Sequence, residues 1–259
     1  MDDIARHNKK YWDEATARNS EYTRPWLELD SKVLQDYAEG RIEVLPEPYT
    51  CVYPRQVLKA VVGKRVLCLA SGGGQQSAVY GLLGAQVTSF DFNEHQLHAD
   101  QEAAAHYGYD LSCVQGDMRD LGCFRDDSFD MVYHEISICF VPSVAEVYHE
   151  VARILSPGGS YRVGQINPAT HGVEETSWNG RAYQVENACR PGRLDQADAR
   201  EYRHLLSDQF NELIGAGFAI EGVFEDPRHF VNPAELRPGS SEHRLTWMPC
   251  YHAILARLS

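Results

Sequence analysis

Residues 66 to 77 read VLCLASGGGQQS, an apolar run that stops on three consecutive glycines before a helical pattern begins. No other stretch limits the fold as tightly. A short apolar run bounded by glycine reads as a buried strand. Glycines directly after it permit positive φ and leave bare main chain at the start of a helix, where unpaired N–H groups can meet a ligand. A strand–glycine–helix unit belongs to open α/β sheets, which bind ligands at the carboxyl ends of their strands.

The chain beyond the glycines alternates. Strands are expected at Arg65–Ala70, Gln86–Asp91, Leu111–Gln115, Phe129–His134 and Ser160–Gln165, with helices over 75–84, 94–107 and 143–155 between them. Short apolar strands alternating with helices predict a parallel sheet covered on both faces. Ser156-Pro157-Gly158-Gly159 reads as a tight turn. A helix opened by a Ser207 cap and ending at Gly215 or Gly217 follows, and strands Ala219–Glu225 and Pro249–Arg257 close the sheet. Before the sheet, helices are expected over 5–19, 25–39 and Pro54–Val62. The predicted organisation is a helical N-terminal cap or lid over 1–62 and a core over 63–259. The polar, irregular stretch 168–204 is a substrate-side insert after the fifth strand.

Composition narrows the ligand. The net charge is −13, and no Lys/Arg-rich block occurs. Nucleic acids and anionic membranes are therefore disfavoured partners, and a small molecule is expected. No apolar run reaches the roughly 18 residues of a membrane span. The polar N-terminus lacks the apolar core of a signal peptide, so a cytoplasmic protein is expected. The seven cysteines form no CxxC pair and read as reduced, packed thiols.

Two acids mark the carboxyl ends of the next strands. Asp91 lies nineteen residues beyond Gly72, placed to hydrogen-bond a ribose hydroxyl pair. Asp117-Met118 follows the third strand: the carboxylate suits an adenine amine and the thioether its ring face, although Asp117 also reads as a cap over 118–121. Together they point to an adenosine-bearing ligand. A hydride cofactor fits less well, because SGGGQQS lacks the third glycine of GxGxxG.

The run CLASGGG at 68–74, with Asp91, GDM at 116–118, FDMVYHE at 129–135 and LSPGG at 155–159, resembles the class I S-adenosylmethionine-dependent methyltransferases. The resemblance covers about 65 to 167. It departs at Cys68, where the family carries an acid, and at Ala70, where it carries a glycine. It implies a Rossmann-like, doubly wound, seven-stranded, mostly parallel sheet with an antiparallel closing strand. It also implies S-adenosylmethionine as methyl donor, with S-adenosylhomocysteine as product. The implied cofactor contacts are Tyr11 on the N-terminal helix, Ala70, Ser71, Gly72, Gly74 and Gln76 at the turn, Asp91 and Phe92, Asp117 and Met118, and His134. The YWDEA, SGGGQQ, NP and MP segments look like a branch acting on small molecules.

Methyl transfer is an in-line displacement that demands alignment more than a fixed catalytic group. His134, ending the fourth strand, is the candidate proton acceptor. Candidate acceptor-side residues are Trp12, Asn167, His171, Trp178, Arg181 and Tyr183. His95 and His98 form an HxxH without a third ligand, so no metal site is expected. The competing readings are an NAD-type oxidoreductase on a similar fold and a non-catalytic cofactor-binding module. The acceptor atom and the oligomeric state are not legible in the sequence.

Overall fold

The computed structural model describes residues 1–70, 72–185, 190–194 and 198–259. The chain opens with α1 (Asp3–Ala17), capped by Asp2, whose side chain accepts from the Ala5 N–H. The next helix, α2, spans Ser31–Ala38, well short of the expected 25–39. Tertiary bonds take the missing turns. Trp26 N–H donates to Gly74 O at 3.1 Å, and the Tyr107 hydroxyl bridges Trp26 O and the Leu29 N–H. Where a helix was expected over 54–62, only a single 3-10 turn at Arg55–Leu58 forms, and Ala60 follows with φ +53°.

The alternation is as expected from there: β1 (Arg65–Leu69), α3 (Gln76–Leu82), β2 (Gln86–Asp91), α4 (Glu94–Tyr107), β3 (Leu111–Gln115), β4 (Phe129–His134), α5 (Val144–Ile154) and β5 (Leu155–Ile166). The predicted turn at 156–159 sits inside the β5 ladder. The register steps from Phe129↔Leu155 to Met131↔Ser160, so these residues loop out between paired positions, with Gly158 at φ +75°. A short antiparallel pair, β6 (Gly192–Leu194) and β7 (Glu201–Arg203), follows in the insert. Then come α6 (Leu206–Gly215), β8 (Phe218–Glu225), α7 (Ser241–Trp247) and β9 (Tyr251–Leu258). The α6 helix starts one residue before the expected Ser207 cap. Leu205 is its N-cap, and the Asp208 carboxylate accepts the Leu205 N–H at 2.9 Å.

The seven-stranded sheet has the order β3-β2-β1-β4-β5-β9-β8. β9 runs antiparallel to both of its neighbours, and the remaining strands are parallel. Strand alternation sends Val66, Cys68, Met131 and Tyr133 to one face, where they pack with Ala78, Tyr80, Ala103 and residues between Trp26 and Val61. Leu67, Leu69, Val132, Tyr161 and Val163 face the opposite layer, with Val147, Val151 and Leu213 of α5 and α6. Much of the expected cap thus shares the sheet's own core, while α1 stands outside both clusters.

Candidate active site

The order reverses between β1 and β4, the position where open α/β sheets leave a crevice at the carboxyl ends of their strands. The glycine turn lies there. Ala70 has φ +49°, and Gly72, Gly73 and Gly74 have φ +73°, +87° and +78°. Ala70 therefore adopts the left-handed backbone of the glycine it replaces. Ser71 lies outside the described residues.

The turn is packed tightly at Gly73 and Gly74 and less tightly at Gly72. A Cβ on Gly73 would fall 2.3 Å from Gln96 Oε1, and one on Gly74 would fall 2.5 Å from Ala99 O. A Cβ on Gly72 would meet nothing nearer than Tyr22 O at 3.5 Å. The buried Gln76 Oε1 nearby has no hydrogen-bond partner among the described residues, nor do Asn93 Nδ2 and Gln96 Oε1. Residues 21–26 lie against the turn through Gln75, whose Nε2 donates to Glu21 O at 2.9 Å and Arg24 O at 3.0 Å.

Asp91 ends β2 only 6% exposed, accepting from the Asn93 N–H at 2.8 Å. Burial pushes its carboxyl up to about 7; the Asn93 and Gly72 N–H groups pull against that rise, and the Asp100 charge adds to it. Phe92 is half-buried beside it. Asp117 is not an open acceptor. Arg119 grips it with Nε at 3.0 Å and Nη2 at 2.5 Å, and reaches Asp2 of α1 at 2.7 Å. Burial works against the Asp117 charge, but the Arg119 hydrogen bonds outweigh it and hold the carboxyl below its ordinary value. Met118 is buried in the cluster containing Phe90 and Leu121.

His134 is 0% exposed, with Nδ1 2.9 Å from the Tyr161 hydroxyl and Nε2 2.8 Å from Ser137 Oγ. Burial, seconded by the Arg162 charge, pushes its pKa down to about 3. The ring is neutral with both nitrogens committed, which leaves it no open lone pair for an acceptor's proton. Glu135 belongs to the other side of the strand. Its Oε2 takes hydrogen bonds from the Tyr133 hydroxyl and from Arg162 Nη1, both at 3.0 Å.

The α1 helix spans the carboxyl edge. The buried Asn8 donates to Phe140 O and Arg200 O, both at 3.2 Å, and accepts from the Arg200 N–H at 2.7 Å. Tyr11 and Trp12 are half-buried; their rings meet edge to face at 5.4 Å, and Trp12 meets Phe140 at 5.7 Å. The other acceptor-side candidates divide. The Asn167 side chain accepts from the Ala169 N–H in a local turn. His171 is buried and bonds Glu201 at 2.8 Å. Trp178 and Tyr183 pack with His243 and Trp247 into one aromatic cluster. In that cluster Trp247 Nε1–H donates to His243 Nε2 at 3.0 Å, and His243 Nδ1 lies 2.7 Å from the Tyr183 hydroxyl. Arg181 is exposed at the tip of the Trp178–Tyr183 bridge. His95 and His98 are exposed on α4.

Sequence reasoning missed Asp100, Arg119, Arg162 and Asn8. Asp100 and Arg162 sit amid ordinary helix and strand patterns, and their partners lie far off in the chain.

This strand order with one antiparallel strand, and the positive-φ glycine turn next to a buried acid, is the architecture that the resemblance to class I methyltransferases implies. Residues 67–163 match the methyltransferase domain family. The chain is 32% identical over 243 residues to the uncharacterized methyltransferase YbaJ of Bacillus subtilis (strain 168), covering 89% of this chain and 94% of that one. It is 37% identical over 140 residues to a probable phthiotriol/phenolphthiotriol dimycocerosates methyltransferase 2 of Mycobacterium ulcerans (strain Agy99), over 51% of this chain and 53% of the relative. A solved S-adenosylmethionine-dependent methyltransferase from Mesorhizobium loti shares the fold, with a TM-score of 0.63 at 24% identity, covering 78% of this chain and 96% of the other. The chain belongs to the methyltransferase family and shares the fold of the solved S-adenosylmethionine-dependent methyltransferase. Among the described residues no helix is long and apolar enough to cross a membrane.

Proposed function

We propose that this protein binds S-adenosylmethionine along the carboxyl edge of β1 to β4 and transfers its methyl group to a small molecule in the cytoplasm. The observation that carries the reading is Asp91, a buried carboxylate hydrogen-bonded to the glycine turn at the Gly72 N–H. Its carboxylate accepts from the Asn93 and Gly72 N–H groups and has acceptor sites left for hydroxyl donors, of which a ribose supplies two. The unpartnered Gln76 Oε1 fits an ammonium donor at the other end of the cofactor. Ala70, Gly72 and Gly74 form the main-chain cradle in this reading. Phe92 and Met118 flank the adenine, and Asp117 receives its amine once Arg119 yields. Tyr11 closes over the cofactor from α1.

When bound, the cofactor supplies an activated sulfonium methyl. The chain's own contribution is orientation and exclusion of water. The α1 helix and residues 21–26 cover the edge. Trp12 and Phe140 offer an apolar wall to the acceptor. His134, with both nitrogens engaged, acts in this reading by fixing the end of β4. The reaction therefore suits an acceptor that arrives already nucleophilic, or one that loses its proton to solvent. His171, Trp178 and Tyr183 shape the insert that borders the acceptor, with Asn167 setting the turn that leads into it and Arg181 at its rim.

Calorimetry with S-adenosylhomocysteine tests the cofactor claim. Micromolar or tighter binding that Asp91→Ala abolishes supports it, and no binding by the intact protein overturns it. Release of labelled methyl into a metabolite pool separates an enzyme from a binding module.

A further inference from the structure

Asp100 is fully buried in the middle of α4. Its Oδ1 accepts from the Gly74 N–H at 2.7 Å and from the Ser77 hydroxyl at 2.5 Å, and its Oδ2 from the Ser89 hydroxyl at 2.8 Å. One carboxylate thereby ties the glycine turn, the first turn of α3 and strand β2 to α4. A buried carboxylate is costly unless such donors surround it, so the arrangement holds only while all of these elements stay in place.

Ser89 is the cross-strand partner of Cys68, so the carboxylate lies beside the position where the resemblance leads one to expect an acid. The Cys68 thiol is buried, and its pKa is pushed up by burial and then by the Asp100 charge, which places the two side chains within electrostatic reach. Ala99, the residue before Asp100, presses its carbonyl against the Gly74 backbone where a Cβ would have to go. α4 therefore sets both the position of the turn and the orientation of its last peptide.

We infer that Asp100 is a positioning residue for cofactor binding, a carboxylate relocated from the first strand to α4 that holds the glycine turn in its binding shape without touching the cofactor. The inference rests on the cofactor reading above. It goes further in making affinity depend on a group behind the cradle, and in making that group movable. An acid at position 68 would approach the Ser89 hydroxyl and the turn from the neighbouring strand.

Calorimetry with S-adenosylhomocysteine on four proteins tests this: the wild type, Asp100→Asn, Asp100→Ala, and Asp100→Ala combined with Cys68→Asp. Removing the acceptor of three buried donors is expected to weaken binding roughly 10- to 100-fold. Asp100→Asn, which keeps an acceptor oxygen, loses less, and the double variant regains most of the deficit. In turnover assays the loss falls on the cofactor KM and not on kcat. A purely structural role would lower stability without rescue from position 68. Asp100→Ala binding within about threefold of wild type overturns the inference, as does a double variant no tighter than the single one. If Asp100→Ala does not fold, Ser89→Ala and Ser77→Ala replace it, and unchanged affinity in both overturns the inference equally. Wild-type protein that binds no S-adenosylhomocysteine instead sinks the underlying cofactor reading, so the two failures are distinguishable.

Discussion

The imidazole of His134 stacks on Tyr161, with ring centroids 6.2 Å apart, and their hydrogen bond joins the end of β4 to the middle of β5. Because burial depresses the His134 pKa to about 3, the folded protein keeps this ring neutral where the unfolded chain protonates it. The unfolded state then binds more protons between pH 3 and 6.5, and stability falls as pH drops through that window. The contribution of this one group amounts to about 2 kcal/mol at pH 5. His252, whose pKa is lowered to about 4 by burial and then Arg162, acts with the same sign. Urea unfolding at pH 7 and pH 5 should show a smaller acid loss for His134→Asn than for wild type. A pH–rate profile with a limb near 6.5 that vanishes in this variant would contradict the buried, neutral ring.

Asp91 behaves oppositely. Its carboxyl, raised to about 7 chiefly by burial, holds its proton in the folded state where the unfolded chain has lost it. Its stabilising effect is complete below pH 3.8 and is lost as pH rises through 7. Binding a ribose through two hydroxyl donors requires the ionised form. S-adenosylhomocysteine affinity should therefore rise by up to about tenfold per pH unit below 7 and level off above it. Proton release, read by calorimetry in buffers of different ionisation enthalpy, accompanies binding near pH 6. Asp91→Asn should flatten both dependences; a wild-type affinity constant from pH 6 to 8 would refute the prediction.

The two sides of the glycine turn separate stability from binding. Gly74→Ala places a Cβ 2.5 Å from Ala99 O and 2.8 Å from Pro25 Cβ, at φ +78°. Backbone cannot yield there, and a loss of roughly 3 kcal/mol or more is expected from crowding and left-handed strain combined. Gly72→Ala meets no atom within 3.4 Å and carries only the left-handed cost, about 1–2 kcal/mol. Its methyl group falls 3.5 Å from Tyr22 O and 3.9 Å from Gln76 Oε1, the amide oxygen assigned above to the cofactor's ammonium. Denaturation curves should rank Gly74→Ala as the less stable, whereas Gly72→Ala should remain folded and lose S-adenosylhomocysteine binding. Equal stability of the two variants would mean that the turn is not pinned to α4.

The parallel alternation was legible because each strand is a short apolar run ended by a turn residue. β2, β3 and β4 fall where the pattern put them. What failed depended on distant partners. Residues 25–30 have helical periodicity, but Gly74 and Tyr107 claim their backbone groups. The three-residue strands β6 and β7 are too short for a periodic signal. At the site, the glycines and Asp91 announced themselves through spacing, since the chemistry of the main chain there needs those residue types. Arg119 lies only two residues past Asp117, yet its grip on that acid depends on a side-chain fold no spacing encodes. Asp100 looked like one more polar position on a helix, because three donors from three other elements make it special.

Arg162 offers the last test, since it joins the N-terminal segment to the sheet. The guanidinium is fully buried, donating to Tyr53 O at 3.1 Å, to His134 O and Glu135 at 3.0 Å, and reaching Cys51 O at 3.4 Å. It also lies 4.6 Å from the Tyr133 ring centroid and 5.3 Å from that of Tyr53. Carbonyls and rings offset part of its desolvation, and Glu135 supplies the countercharge. Arg162→Ala deprives those acceptors of their donor and opens a cavity, which should cost roughly 3–5 kcal/mol. Glu135→Gln keeps an acceptor beside the guanidinium and should cost less, about 1–3 kcal/mol. Because the lost bonds hold residues 51–53, amide exchange over 49–58 should accelerate more in Arg162→Ala than exchange in β1 or β4 does. Uniform acceleration across the sheet would instead mean that Arg162 supports the core as a whole and does not specifically fasten the segment that covers it.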